Sequence, residues 1–471
     1  MSLKSIYLRA PAPLQAVFLN AVALRIRAHR YGPAYRRAVR QALQRESWDR
    51  SALREFQDHR LRSIIDHAYG KSTYYRMVFD ESGVHPRDVT GVADLSRLPL
   101  LTKEVLRENL ADILTAPRPR SGWLHGHTSG TTGSPLSLWY DRETAILNNA
   151  MDQRQKAWGG MADPDWIGLF LGQIIVSPQR HRPPFWQPNY VLRQVWFSTF
   201  HLSDENLPDY IEEIRRRGLR FLEGYPSTLF ILAKHLLETG ERLPMRSVFT
   251  SSETLHRIQR ETIEEAFQCR IFDFYGHAER VIFATECDRH EGKHLSEEYG
   301  YTEVVDHQGE PVAPGTLGYL VGTSLENRAM PMIRYRTGDL SRIIEEPCPC
   351  GRTSRRIVDV STKAEDIVVT PDGRLLSPSI LTHPFKPFDQ IRKSQIIQEA
   401  VDRIVVRLVP SDQFDTAQEE ALKAGLRERL GEGVMIDVQR VGDIPREASG
   451  KYRWVISKVD HAAKLSWGVD Q

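Results

Sequence analysis

The chain contains little cysteine, little net charge and no long apolar run. Four cysteines in 471 residues are too few for a disulfide framework, so a reducing, cytoplasmic compartment is expected. With 63 Lys and Arg against 61 Asp and Glu, the net charge of +2 offers no field suited to nucleic acid. No segment could form a transmembrane helix, and no repeat is present. We therefore expect a small-molecule partner; the oligomeric state stays open, with a homodimer as one option.

The N-terminal run APAPLQAVFLNAVALRI is apolar and follows the basic residues Lys4 and Arg9, as the core of a signal peptide would. Gln15 and Asn20 interrupt the run, and no small-residue cleavage site follows it. The pattern predicts an amphipathic helix, with contact to a membrane surface as an alternative.

The chain divides into three parts by pattern, and together they predict an α/β protein. Residues 1–95 show helical periodicity up to Gly70 and form a helical lead to a large domain. In residues 96–362, helical stretches alternate with short apolar runs that end in Gly, Pro or Ser, as in a mainly parallel sheet. Residues 363–471 contain strands, a PDG turn and one helix, and predict a small α+β domain.

The stretch HTSGTTGSP clusters hydroxyl groups and glycines. Glycines allow the backbone to fold closely around an anion, and successive backbone N–H groups can bind phosphate. No Walker lysine follows, so a plain polar loop remains the alternative. The residues concerned are Thr128, Ser129, Gly130, Thr131, Thr132 and Gly133.

Three further motifs place chemistry-bearing side chains near glycines. FYGHAER offers an aromatic face at Tyr275, beside Gly276, and a carboxylate at Glu279 that could hold Mg²⁺. RYRTGDL places Asp339 at a predicted turn after a strand, where it could accept ribose hydroxyls. SGKYR presents the ammonium group of Lys451 on a glycine turn. Taken singly, these residues could equally be a core aromatic, a turn residue and surface charges.

In this order, the four motifs resemble the adenylate-forming superfamily, and most closely its phenylacetate–CoA ligase and CapK-like branch. The resemblance covers nearly the whole chain. It also includes HAYGKSTYYR, LPLLTKEVLREN, EGYPSTL, CPCGRT and EDIVVTPDGRLLSP.

The resemblance implies a two-step reaction in which ATP and a carboxylic acid form an acyl-adenylate, and an acceptor, commonly CoA, then displaces AMP. Residues 128–133 would bind the ATP phosphates, with Thr128 counted as catalytic. Tyr275 and Gly276 would contact adenine, Asp339 would bind ribose, and Glu279 would hold Mg²⁺. Lys451 would stabilise the charge that develops in the first step, on a C-terminal domain that rotates between steps.

One motif departs from the family pattern. Where the family has GRxDD, this chain has TKAED, so Thr362 replaces the hinge glycine and Lys363 replaces an arginine that contacts ribose. Because a lysine lacks the guanidinium fork, the second step is less secure than the first. Transfer to an amine, and a non-catalytic nucleotide- or metal-binding homologue, remain alternatives.

The acid itself is not specified by the sequence. An aryl or other modest-sized acid is the expectation from the resemblance. Residues 223–227 and 251–253 are candidate acid contacts, although EGYPSTL could instead cap a helix.

A second cluster combines thiols and imidazoles. ECDRHEGKHL contains Cys287 and His294, and PCPCGR contains Cys348 and Cys350; together they could form a structural zinc site, with His290 as an alternative ligand. Three buried thiols beside a surface histidine remain the other interpretation. Cys269 is expected in a strand of the core.

Overall fold

The structure is a computed structural model that describes residues 6–8, 10–128, 136–162, 165–358, 360, 368–376, 378–388, 390–444 and 454–459. Of the predicted site, Ser129, Gly130, Thr131, Thr132 and Gly133 lie outside these residues. Lys363 and Lys451 lie outside them as well, together with Thr362 of the hinge motif TKAED.

The N-terminal lead is helical, as predicted. Its helices are α1 (Ala12–Arg30), α2 (Pro33–Arg45), α3 (Arg50–Lys71) and α4 (Thr73–Glu81). Asp49 begins α3 by accepting a hydrogen bond from the backbone N–H of Ala52 at 2.8 Å. The predicted break at Gly70 is displaced, since α3 continues to Lys71. A glycine costs a helix only about 1 kcal/mol, and the boundary falls at Ser72, which caps α4 through the N–H of Tyr75.

Two short helices, α5 (Lys103–Glu108) and α6 (Leu110–Ile113), lead into a hairpin of β1 (Leu124–His127) and β2 (Ser137–Tyr140). The two strands pair antiparallel, with His127 opposite Ser137. The predicted phosphate loop therefore connects two paired strands. Helix α7 (Arg142–Trp158) follows, capped by Asp141.

A ten-stranded sheet forms the centre of the molecule. Its strands are β3 (Ile167–Phe170), β4 (Trp186–Asn189), β5 (Gln194–Phe197), β6 (Phe221–Gly224), β7 (Ser247–Thr250), β8 (Ile271–Gly276), β9 (Phe283–Glu286), β10 (Lys293–Leu295), β14 (Ile343–Ile344) and β15 (Arg356–Ile357). They lie in the order β14-β15-β10-β9-β8-β7-β6-β3-β5-β4. The central strands, from β5 through β3, β6 and β7 to β8, pair parallel, as predicted. The strands at both margins of the sheet pair antiparallel, which the alternation of helices and strands did not predict.

Three helices connect the parallel strands: α8 (Leu207–Arg216), α9 (Pro226–Glu238) and α10 (Arg257–Phe267). Their apolar faces bury one large cluster against the sheet, which includes Phe170, Tyr210 and Phe267. Cys269 follows α10 and is half-buried just before β8. It packs against this cluster, but it lies outside the strand in which it was expected.

A separate antiparallel sheet contains β11 (Gly300–Val305), β12 (Gly318–Ser324) and β13 (Tyr335–Ser341). The β12–β13 register shifts between Tyr319 and Val321, which pair with Leu340 and Arg336. The extra residues on β13 form a bulge around Gly338, whose φ is 87°. Asp339 thus lies within a bulged strand, and the expected turn after a strand is wrong at this point.

The C-terminal unit has the predicted α+β composition. The hairpin of β16 (Val368–Val369) and β17 (Leu375–Leu376) confirms the PDG turn, and a short helix, α11 (Pro378–Thr382), follows it. A four-stranded sheet follows, made of β18 (Ile391–Ala400), β19 (Arg403–Pro410), β20 (Met435–Arg440) and β21 (Val455–Ser457). Its strand order is β20-β19-β18-β21, and helix α12 (Thr416–Leu430) lies between β19 and β20 in the chain.

The C-terminal unit packs on the large domain through shared apolar side chains. Phe200 and Tyr225 of the large domain belong to the same buried cluster as Leu376, Ile380 and Trp454. Across the described ranges, no helix is both long and apolar enough to cross a bilayer.

Candidate active site

The hairpin β1–β2 ends in a pair of hydrogen bonds that close the predicted phosphate loop. The N–H of Thr128 donates to the carbonyl oxygen of Leu136 at 3.0 Å, and the N–H of Leu136 donates to Thr128 Oγ1 at 2.9 Å. Thr128 is buried and lines a cavity of about 680 Å³. Its side chain therefore fixes the base of the loop next to that cavity.

The carboxylate of Glu279 lies in the same cavity, in the segment between β8 and β9. The hydroxyl of Tyr335 donates to Glu279 Oε1 at 2.7 Å, and His277 Nδ1 lies 3.4 Å from Glu279 Oε2. Burial opposes ionisation, but the adjacent His277 imidazole, the hydrogen bond from Tyr335 and the positive charge of Lys103 outweigh it and lower the pKa of Glu279 to about 2. Glu279 is thus a fixed anion at neutral pH, as a Mg²⁺ ligand needs to be.

Tyr275 and Asp339 meet across two sheets. Tyr275 is the second-last residue of strand β8, directly before Gly276, and its hydroxyl donates to Asp339 Oδ2 on β13 at 2.7 Å. Burial and the neighbouring carboxylate raise the pKa of Tyr275 well above its ordinary value, so the phenol stays a donor. The bulge at Gly338 turns the Asp339 side chain towards this hydroxyl.

The cavity is also lined by four of the predicted acid contacts. Glu223 lies near the end of β6 and Tyr225 directly after it, and Ser252 and Glu253 follow β7, at the carboxyl ends of parallel strands where ligands bind in such sheets. EGYPSTL serves as a helix start too, because Glu253 Oε2 accepts the N–H of Ser227 at 3.1 Å in the first turn of α9. Thr382, His383 and Lys386 of the C-terminal unit complete the lining.

Helix α7 presents a polar stripe to the cavity that the sequence did not indicate. Asn148 and Asn149 precede Asp152 by four and three residues, which places all three on one side of the helix. Lys156, one turn further, lies 2.8 Å from Asp152 Oδ2 and 2.9 Å from Glu223 Oε2. Burial disfavours its ammonium form, but the two carboxylates raise the pKa of Lys156 above its ordinary value.

Other residues of the site were not assigned a role from the sequence. Tyr335 stood inside the quoted RYRTGDL motif, where only Asp339 was assigned a role. Lys103 lies at the start of α5, after the LPLLT stretch, and lines the cavity near Glu279. Lys293 lies 3.1 Å from Asp273 Oδ2 in the same wall. These pairs link distant segments, so only the fold reveals them.

The structure brings Cys287, His294, Cys348 and Cys350 together, with the four ligand atoms all within 4.8 Å of one another. The Sγ atoms of Cys287 and Cys348 are 3.7 Å apart, too far for a disulfide bond of about 2.05 Å. Cys350 Sγ lies 3.4 Å from His294 Nε2. A tetrahedral zinc ion with Zn–S bonds of about 2.3 Å would space two sulfurs roughly 3.8 Å apart, so the donor set fits zinc.

The surroundings of this cluster match a metal site as well. The other ring nitrogen of His294, Nδ1, lies 2.9 Å from Ser354 Oγ, which orients the imidazole. His290, the alternative ligand, instead places Nδ1 3.3 Å from Glu286 Oε2 and lies outside the group of four.

Known proteins resemble both the C-terminal unit and the whole chain. Residues 368–458 match the CapK C-terminal domain family. The chain is 25% identical over 452 residues to phenylacetate-coenzyme A ligase of Thermus thermophilus, covering 87% of this chain and 98% of that protein. It is 25% identical over 418 residues to protein CapK of Staphylococcus aureus, covering 86% and 90% of the two chains.

A solved structure of 2-hydroxyisobutyryl-CoA ligase in complex with 2-HIB-AMP and CoA shares the fold, with a TM-score of 0.57. It is 21% identical and covers 89% of this chain and 93% of that one. The resemblance drawn from the motifs, to the adenylate-forming superfamily and its phenylacetate–CoA ligase and CapK-like branch, is confirmed by these similarities in sequence and fold.

The hydrogen bond from Tyr335 to Glu279 gives a first test. Tyr335→Phe removes the hydrogen bond that favours the ionised form of Glu279, so we expect the pKa of Glu279 to rise and Mg²⁺ to bind more weakly. The Mg²⁺ concentration for half-maximal pyrophosphate release should increase several-fold, most strongly at the acidic end of the pH range.

The control is Tyr210→Phe, which removes an equally buried hydroxyl that donates to the carbonyl oxygen of Ser198 at 2.6 Å, away from the cavity. An identical Mg²⁺ requirement in both variants would contradict the assigned role of Tyr335.

Proposed function

We propose that the protein activates a carboxylic acid with ATP, forming an acyl-adenylate and pyrophosphate, and then transfers the acyl group to CoA. One observation carries the proposal: a single cavity contains an ionised, buried Glu279 and the Tyr275–Asp339 pair, at the mouth of the phosphate hairpin. Relatives named phenylacetate-coenzyme A ligase, and 2-hydroxyisobutyryl-CoA ligase solved in postadenylation and thioesterification states, support both steps.

The first step brings two anions together, the carboxylate and the α-phosphate of ATP. Mg²⁺, held by Glu279, would supply positive charge against the phosphate oxygens. The backbone N–H groups of residues 129–133 would bind the phosphates, and the ring of Tyr275 and the backbone at Gly276 would contact adenine. Asp339, aided by Lys363, would bind ribose. Lys451 would contribute the remaining positive charge as the new bond forms. No covalent protein nucleophile is required.

Two alternatives are weaker. Transfer to an amine remains compatible with the altered hinge sequence, but the relatives' names favour a thiol acceptor. A non-catalytic homologue would have no need of an ionised Glu279, and all three of Glu279, Asp339 and Lys451 are present in the sequence.

The lining of α7 narrows the class of acid. Asp152 Oδ2 already accepts from Lys156 and Asn148 Oδ1 from Tyr299, but a wholly apolar acid would bury against the Asn149 amide without satisfying it, which costs binding free energy. We propose an aryl or aliphatic acid of modest size that carries a hydroxyl, amide or amino group facing this helix.

We also propose a structural zinc ion bound by Cys287, His294, Cys348 and Cys350. The ion would join the end of β9 and strand β10 to the loop before β15, and so fix one margin of the central sheet.

Metal analysis of the purified chain tests the zinc proposal. We expect one zinc ion per chain in the wild type, and loss of most of it in Cys348→Ser together with a lower Tm. Cys269→Ser, which changes a thiol outside the cluster, should keep both the metal and the Tm. A wild-type protein that is stable and free of metal would reject the site.

A set of matched acids tests the proposed acid class. For an acid with a hydroxyl or amino group and its unsubstituted isostere, kcat/KM should differ by about fivefold, which corresponds to the ~1 kcal/mol of one net hydrogen bond. Asn149→Leu should abolish that preference, whereas Glu143→Ala, at an exposed position of the same helix, should not. An equal preference in all three proteins would contradict the role of α7.

Pyrophosphate release tests the activity itself. Release should require an acid, and Lys451→Ala should reduce it by about 10²–10³-fold while ATP binding is kept, because the lysine acts on charge that develops only in the reaction. The matched control is Lys458→Ala, whose ammonium group pairs with Glu399 Oε2 on the surface at 2.7 Å.

The acceptor is identified in the same assay by supplying CoA or amines in turn. Thioester formation supports the proposal, amide formation alone would establish the first alternative, and no acid-dependent release over a broad panel would establish a non-catalytic protein.

A further inference from the structure

Helix α1 packs on the protein with its polar side. Gln15 is fully buried and accepts a hydrogen bond from Gln187 Nε2 of β4 at 2.8 Å. Asn20 Nδ2 donates to the carbonyl oxygen of Pro188 at 3.0 Å, and Asn20 Oδ1 accepts the N–H of Tyr190 at 2.8 Å. The polar interruptions of the N-terminal run are therefore the groups that attach this helix to the edge of the sheet.

The opposite side of α1 is apolar and faces outward. Its side chains are 41% to 67% exposed and lie on one side of the helix: Leu14, Val17, Phe18, Val22 and Leu24. A surface helix normally turns its apolar side to the core. Here the order is reversed over about three turns, and a continuous exposed apolar face of this kind marks an interaction site.

Charge around the helix is of one sign. Residues 1–45 contain nine Lys and Arg and no Asp or Glu, a charge of +9, whereas the whole chain carries +2, which leaves −7 for residues 46–471. Exposed arginines follow the apolar face directly, at Arg25, Arg27 and Arg30. The face is thus flanked by positive charge that the rest of the chain does not share.

The positive charge around α1 distinguishes between two possible partners for its apolar face, a second copy of the chain and a lipid surface. A symmetric contact with a second copy would place the same basic segment on both sides of the interface, and like charges would oppose it. A surface of anionic lipid headgroups offers the opposite charge to the arginines and an apolar layer for the leucine, valine and phenylalanine side chains.

We propose that α1 is an interfacial helix that seats the protein on an anionic lipid surface. At 19 residues, it is about 28 Å long and would lie in the plane of the interface, with its polar side still attached to β4. The proposal is independent of the proposed reaction, because α1 contributes no residue to the cavity lining.

Sedimentation of the full chain with lipid vesicles tests it. We expect binding to vesicles of phosphatidylcholine mixed with phosphatidylglycerol, weaker binding to phosphatidylcholine alone, and a decline as salt is added. The triple variant Leu14→Ser/Val17→Ser/Leu24→Ser should lose at least tenfold in vesicle affinity while its Tm stays unchanged.

A matched control removes three comparably exposed apolar side chains elsewhere: Ile258→Ser/Leu317→Ser/Met435→Ser. This variant should bind vesicles as the wild type does. The proposal is overturned if the wild type does not bind anionic vesicles, if the two triple variants lose affinity equally, or if lipid charge has no effect. It is also overturned if the wild type dimerises through α1, as seen by light scattering, and ignores vesicles.

Discussion

Two hydrogen bonds between a tyrosine and a carboxylate hold the site together, and they connect its two sheets reciprocally. Tyr335 on β13 donates to Glu279 beside β8, and Tyr275 on β8 donates to Asp339 on β13, each at 2.7 Å. Each sheet therefore supplies one acid and the donor that orients the other sheet's acid. Neither carboxylate can be placed unless the three-stranded sheet is docked on the ten-stranded one.

That docking depends on two positions without side chains. A Cβ atom on Gly300 would lie 2.1 Å from the carbonyl oxygen of Val281, and one on Gly322 would lie 2.4 Å from Val281 Cγ2. Glycine at both positions lets β11 and β12 approach the segment that follows Glu279. The cluster that buries Val281 also contains Tyr335, so the close packing that sets the sheet distance also sets the hydrogen bond to Glu279.

The sequence predicted the parts of the fold that repeat over many residues. The parallel centre could be predicted because each apolar run ends in Gly, Pro or Ser and a helix follows. The margins could not, since β10, β14 and β15 are two or three residues long and show no periodicity. In the site, Glu279 and Asp339 could be named from their motifs. The hydrogen bond from Tyr335 that orients Glu279 could not be predicted, because the two residues are 56 residues apart on different sheets.

The two ends of the central sheet are protected by different chemistry. At one end, β14, β15 and β10 lie beside the cluster of three cysteines and His294, and at the other, β4 is covered by α1. An exposed sheet edge invites pairing with another chain, so each end needs a cover. Helix α1 covers β4 through the hydrogen bonds of Gln15 and Asn20, so these polar side chains face the sheet. Because the polar side of α1 faces the sheet, its apolar residues face outward.

The predicted rotation of the C-terminal unit meets a constraint in its contact with the large domain. Arg374 donates to the carbonyl oxygens of Arg429 and Leu430 in its own unit, and to that of Phe200 in the large domain. Of these three bonds, the one to Phe200 crosses the boundary and would have to break on rotation. The apolar side chains that Phe200 and Tyr225 cover would need a new partner as well, because exposing them costs about 25 cal/mol per Å². A rotated state is therefore accessible only if it buries a comparable apolar area. The surface that covers these side chains in the rotated state then determines how far the C-terminal unit turns.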